Sequence, residues 1–162
     1  MMRSLIDLKF RPTQELLGPM RALLTELFKS ESMEEDAVYR LGIALHELLE
    51  NVMKYSADGV AHLTAEVGGT GERTFVSLRV SNQCEAGRLS DLKGEFDSLR
   101  SNPDPEAYYL ALMLKNARRR VGSGLGLARI WAEAQMDLRC EIAGSMATIV
   151  AQSPIALTSP AP

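Results

Sequence analysis

Leu41, Leu45, Leu48, Val52 and Tyr55, flanked by Leu49 and Met53, recur at the three- and four-residue spacing that puts side chains on one side of a helix. So broad an apolar stripe is a core face, and it forces the polar residues between these positions onto the opposite side. Glu47 and Asn51 fall there, one turn apart, with Cβ atoms roughly 6 Å from each other, on a line that Arg40 and Lys54 extend. A carboxylate and an amide oxygen so placed can share one small ligand. A polar stripe alone, however, is the ordinary wet side of a helix.

A second stretch changes the weight of the first. Residues 121–127 read VGSGLGL and run directly into ARIWAEAQ. Gly122, Gly124 and Gly126 permit a tight turn and leave backbone N–H groups uncovered, and the following helix adds the positive end of its dipole. Such a loop suits phosphate, with Ser123 and Leu125 between the glycines and Arg118, Arg119 and Arg120 just before them. The E-x-x-x-N helix, a strand hairpin and then G-x-G-L-G-L together resemble the N box and G2 box of the GHKL ATP-binding (Bergerat-fold) family, which includes gyrase, Hsp90, histidine kinases and MutL. In so short a chain the pattern is most similar to the anti-sigma-factor serine/threonine kinases and their partner-switching relatives.

The rest of the sequence is compatible with that scale. A chain of 162 residues makes one domain with a sizeable core. Charged residues at 24%, apolar residues at 46% and a net charge of −3 give no reason to expect nucleic acid or an anionic membrane. Cys84 and Cys140 lack metal-site spacing and read as free thiols in a reducing compartment. The first residues, MMRSLIDLKF, hold neither a signal peptide nor a spanning helix, so the expected location is the cytoplasm.

In chain order, residues 5–10 alternate as an edge strand with one buried face. A helix then runs from Pro12 and Thr13 to Lys29, carrying Leu16, Leu17, Met20, Leu23, Leu24, Leu27 and Phe28 at helical spacing. Its leucines serve either a homodimer or the core. Ser32 and Glu35 predict a capping box for the helix with Glu47 and Asn51. Glycines 68, 69 and 71 predict a hairpin between residues 61–67 and 74–81. Residues 89–100 and 106–119 predict two helices, residues 125–135 another, and residues 138–142 and 147–151 a last hairpin through Gly144 and Ser145. The expected domain spans residues 1–152, with a flexible tail over 153–162.

The resemblance implies a two-layer α+β sandwich with a mixed, mostly antiparallel sheet covered by helices on one face. It implies ATP and Mg2+ as cofactors, with Asn51 as the metal ligand, Glu47 as general base, Lys54 and Arg120 near phosphate, and residues 82–121 as the region of a mobile lid. At the adenine site the family's aspartate is replaced by Asn82, in VSNQCEAG, and only Gly87 remains of the glycines that follow it. Thr148 matches the family threonine that supports the adenine contact. An asparagine there resembles the SiaB-like kinases of bacterial signalling. The implied reaction is phosphorylation of a serine or threonine on a STAS-domain, anti-sigma-antagonist-like partner. Two other readings stand beside it: a binding module that has lost nucleotide, and a phosphotransfer protein that uses His46.

Overall fold

Alternating apolar residues on five strands give the sheet one greasy face and one polar face, and the helices collect on the first. The computed structural model describes residues 1–119 and 124–155. Its order is β1 (Arg3–Phe10), α1 (Gln14–Ser30), α2 (Glu35–Tyr55), β2 (Ala61–Gly68), β3 (Phe75–Gln83), α3 (Ala86–Ser101), α4 (Pro105–Arg119), α5 (Leu125–Ala132), β4 (Asp137–Ala143) and β5 (Met146–Pro154). The strands lie side by side as β1-β2-β3-β5-β4. Each neighbouring pair is antiparallel, where a mixed sheet was expected.

Register decides what each strand offers the helices. Leu63 stands between Leu8 and Val80, and Val80 pairs with Ile149 and Leu78 with Ala151, so Ile6, Leu8, Leu63, Ala65, Leu78, Val80, Ile149 and Ala151 form the covered face. Onto it α2 lays Leu41, Leu45, Leu48, Leu49 and Val52. The far face is polar: Arg79 reaches Glu141 at 2.8 Å over β5, and His62 reaches Asp7 at 2.6 Å. The result is a two-layer α+β sandwich, as the sequence implies.

Three local expectations differ from the structure, and a fourth that stood open is divided. Ser32 is not the N-cap residue of α2: it lies in a turn at φ 58°, and Glu34 holds that position, with Glu35 and Asp36 in the first turn of the helix. The strand after Met146 does not fray at Gln152. Ser153 pairs with Val76, and Ile155 is buried with its N–H on the Thr74 carbonyl at 2.9 Å, so the folded body reaches past residue 152, and residues 156–162 lie outside the described chain. Helix α5 ends at Ala132 rather than at residue 135. On α1, Met20, Leu24 and Phe28 are buried while Leu16 and Leu23 are exposed, so its apolar pattern divides between core and surface. Among the described residues no helix is long and apolar enough to cross a membrane.

Leu78→Ala empties a position that is 0% exposed and should cost about 2–5 kcal/mol. Leu23→Ala, at 56% exposure, should change stability by no more than about 0.5 kcal/mol. Urea unfolding midpoints of the two variants check the difference; equal shifts would contradict this division of the helical layer.

Candidate functional site

Because α2 buries its apolar stripe, the stripe of Glu47, Asn51 and Lys54 faces away from the sheet, toward the start of α5 and the first turns of α3. These elements enclose a cleft of about 450 Å3, into which Gln14 also reaches from the start of α1. Glu47, Glu50, Asn51, Met53, Lys54 and Tyr55 line it from α2, Arg88 and Glu95 from α3, and Gly124, Leu125, Gly126 and Leu127 from α5. The structure therefore brings Glu47, Asn51, Lys54, Gly124, Leu125 and Gly126 to one place.

Two glycines make that convergence possible. Gly124 caps α5 at φ 82°, a left-handed conformation that side chains oppose. The first-turn N–H groups of α5 have no carbonyl of their own helix to bond, and they stand at the cleft. Gly126 lets the two helices touch: a Cβ on it would lie 2.8 Å from Glu47 Oε2. The carboxylate tip thus rests against the glycine segment. Its other oxygen, Oε1, accepts a hydrogen bond from Arg129 Nη1 at 2.9 Å, and Arg129 Nε donates to Glu133 Oε2 at 2.8 Å. Glu133, and after it Glu47, raise the Arg129 pKa further, so its charge is permanent.

Asn51 is engaged as well. Arg88 Nη2 donates to Asn51 Oδ1 at 3.0 Å and Arg88 Nη1 to Glu95 Oε1 at 2.7 Å, while the guanidinium carbon sits 3.7 Å from the centre of the Tyr55 ring. Tyr55, counted by periodicity with the core, is instead half-buried and carries a cation on its face. The expected Mg2+ ligand therefore spends its oxygen on a guanidinium. A divalent ion on that oxygen would face the Arg88 guanidinium, a like charge that disfavours it in this arrangement.

The expected adenine residues lie elsewhere. Asn82 is 4% exposed and does not line the cleft; its amide donates to the Gln83 carbonyl at 3.1 Å and to Cys84 Sγ at 3.2 Å. Thr148 cannot support it, because Asn82 pairs with Ala147 while Thr148 pairs with Ser81, which places Thr148 on the opposite face of the sheet. There its hydroxyl is 2.8 Å from that of Ser81. Gly87, in the first turn of α3, is not part of the cleft either, and a Cβ on it would meet open space. Arg120, Gly122 and Ser123 lie outside the described residues. His46 is held between Arg21 Nη1, 3.4 Å from Nδ1, and Glu50 Oε1, 3.3 Å from Nε2. Cys84 is buried and Cys140 half-buried, both are free, and desolvation pushes both thiols up.

Arg88, Glu95 and Arg129 are site residues that motif reasoning passes over. Arg88 and Glu95 are seven apart on one side of α3, and Arg129 of α5 is four from Glu133, the residue that caps its end; both pairs look like ordinary surface charge until the partner helix is in place.

No family model matches the sequence, and no curated protein matches it. The fold does have a solved counterpart. Over 95% of its length the chain is similar to 91% of a chain in the crystal structure of the SiaB-SiaC complex from Pseudomonas aeruginosa, with a TM-score of 0.63 and 13% sequence identity. At that identity the likeness concerns the fold.

Arg88 and Glu95 have side chains only 9% and 18% exposed, so they should be strongly coupled. A double-mutant cycle to alanine, read by urea unfolding, should give about 1–3 kcal/mol, against about 0.2–1 kcal/mol for the open-face pair Arg79 and Glu141. Equal coupling in the two pairs would contradict the enclosed geometry of the cleft.

Proposed function

We propose that this chain is an ATP-binding protein serine/threonine kinase of a bacterial partner-switching module, with a small STAS-domain-like protein as its substrate. The observation that carries the reading is the contact of Glu47 with Gly126 inside a cleft that also holds Asn51, Lys54 and the start of α5. A fold shared with a chain of a two-protein SiaB-SiaC complex favours a protein as the other reactant.

Phosphoryl transfer asks a protein mainly for positioning, charge stabilisation and a group that orients the incoming hydroxyl. The N–H groups at the start of α5, together with Lys54, would meet phosphate oxygens. Glu47 would accept the proton of the serine or threonine hydroxyl through Oε2, while Arg129 fixes the carboxylate by Oε1. Arg129 is thus a positioning residue, itself held by Glu133. Mg2+, when bound, would supply charge neutralisation at the phosphates; for Asn51 to hold it, Arg88 has to give up its hydrogen bond to Oδ1.

A second reading has its own observation. Asn82 is turned inward and its amide is used by Gln83 and Cys84, which favours a domain that recognises a protein without nucleotide. Calorimetry with ATP separates the two readings: binding supports the kinase, and no heat at millimolar nucleotide leaves the binding module.

For the kinase, Glu47→Ala should reduce transfer to a threonine-bearing partner by about 10²–10⁴-fold while ATP still binds. Gly126→Ala should leave the fold intact, since only the end of a side chain has to move, yet lower transfer by roughly tenfold or more by displacing Glu47. Radiolabel transfer measured beside calorimetry checks both. Wild-type transfer by Glu47→Ala would remove Glu47 from the reaction.

A further inference from the structure

Arg88 occupies the place on Asn51 that a metal would take. Its Nη2 donates to Asn51 Oδ1 at 3.0 Å, its Nη1 is tied to Glu95 at 2.7 Å, and its planar group lies on the Tyr55 ring. Only 9% of the side chain is exposed. Three contacts from two helices fix the guanidinium at this point in the cleft. Both helices are anchored elsewhere, α2 through its buried stripe and α3 through Leu92, Phe96 and Leu99.

A small divalent ion would bind Asn51 Oδ1 at about 2.0–2.1 Å. At that distance it would stand on the same oxygen as the guanidinium, with like charges a few ångströms apart in a cleft where Arg88 is nearly shut off from water. A carboxamide oxygen that accepts from a cation is, besides, a poorer donor to a second one. Glu95 offsets only part of the repulsion, because its Oε1 is held on Arg88 and its charge is shared with that guanidinium. Phosphate behaves in the opposite way. A guanidinium carries five N–H donors, and Asn51 and Glu95 leave some of them for phosphate oxygens.

We propose that Arg88 is the resident cation of this cleft, that Arg88 and a divalent metal exclude one another at Asn51, and that phosphate-bearing ligands are met by the guanidinium rather than through a metal. The identity of the ligand rests on the nucleotide reading above. The exclusion at Asn51 does not, and it can be measured without nucleotide.

The experiment is calorimetry of ATP with the full chain, in excess Mg2+ and in EDTA, on the wild type, on Arg88→Gln, and on Arg88→Gln with Glu95→Gln, which leaves no unpaired carboxylate. Thermal unfolding confirms that each form is folded. Wild type should bind ATP nearly equally under the two conditions. Each variant should lose about tenfold or more in EDTA and recover part of it with Mg2+, the loss expected from one charge-assisted hydrogen bond. Equal Mg2+ dependence in wild type and both variants overturns the proposal.

If no form binds ATP, the nucleotide reading fails by itself, and Mn2+ alone becomes the probe, followed by water-proton relaxation. Enhancement in Arg88→Gln but not in wild type, abolished by adding Asn51→Ala, sustains the exclusion. The same Mn2+ response from wild type and Arg88→Gln, or none from either, overturns it.

Discussion

A missing methyl group at Gly126 lets α5 approach α2, and the cleft depends on that approach. With Glu47 Oε2 only 2.8 Å from where a Cβ would stand, any other residue would hold the helices apart or turn the carboxylate away. Because the helices are close, Arg129 can reach Glu47 from the next turn of α5, and the N–H groups of Leu125, Gly126 and Leu127 share a space with Asn51 and Lys54. The sheet contributes by burying the other side of α2, which fixes the direction in which its polar stripe looks.

In and beside the cleft, charge is arranged in two sets. Glu47 is tied to Arg129 and Glu133, and Asn51 to Arg88 and Glu95. In each set an arginine on one helix reaches across to α2 and is steadied by a glutamate, Glu95 on the same helix for Arg88 and the C-cap Glu133 for Arg129. A guanidinium suits this work better than an ammonium because it donates in two directions within one plane. The sets also tie α3 and α5 to α2 by side chains whose charges partly cancel.

Much of this was legible in the sequence. The stripe from Leu41 to Val52 repeats at 100° per residue, so the buried side of α2, and with it the orientation of Glu47 and Asn51, follows from spacing alone. The GSGLGL run marked the start of α5 because glycine at 124 and 126 answers a local need. Pairing of Asn82 with Thr148 was not legible: each has the right place along its strand, but register sets them one residue out of step, and in a sheet one residue means opposite faces. Arg88 was missed for a different reason. Its partners are Asn51 and Tyr55, both distant in sequence, and a charged pair seven apart on a weakly amphipathic helix gives no sign of being enclosed. Ser32 shows the limit of short motifs, since the turn after α1 takes it into a left-handed conformation before α2 begins.

The border strands have a consequence for assembly. Lys9 and Asp7 on β1, and Asp137, Arg139 and Glu141 on β4, put charge along both open margins of the sheet, with His62 and Arg79 of the inner strands paired to them. Another chain adding itself as a sixth strand would have to strip water from those ions with nothing to replace it, which is how natural sheets resist edge-to-edge growth. Neither open margin of the sheet is thereby suited to strand addition.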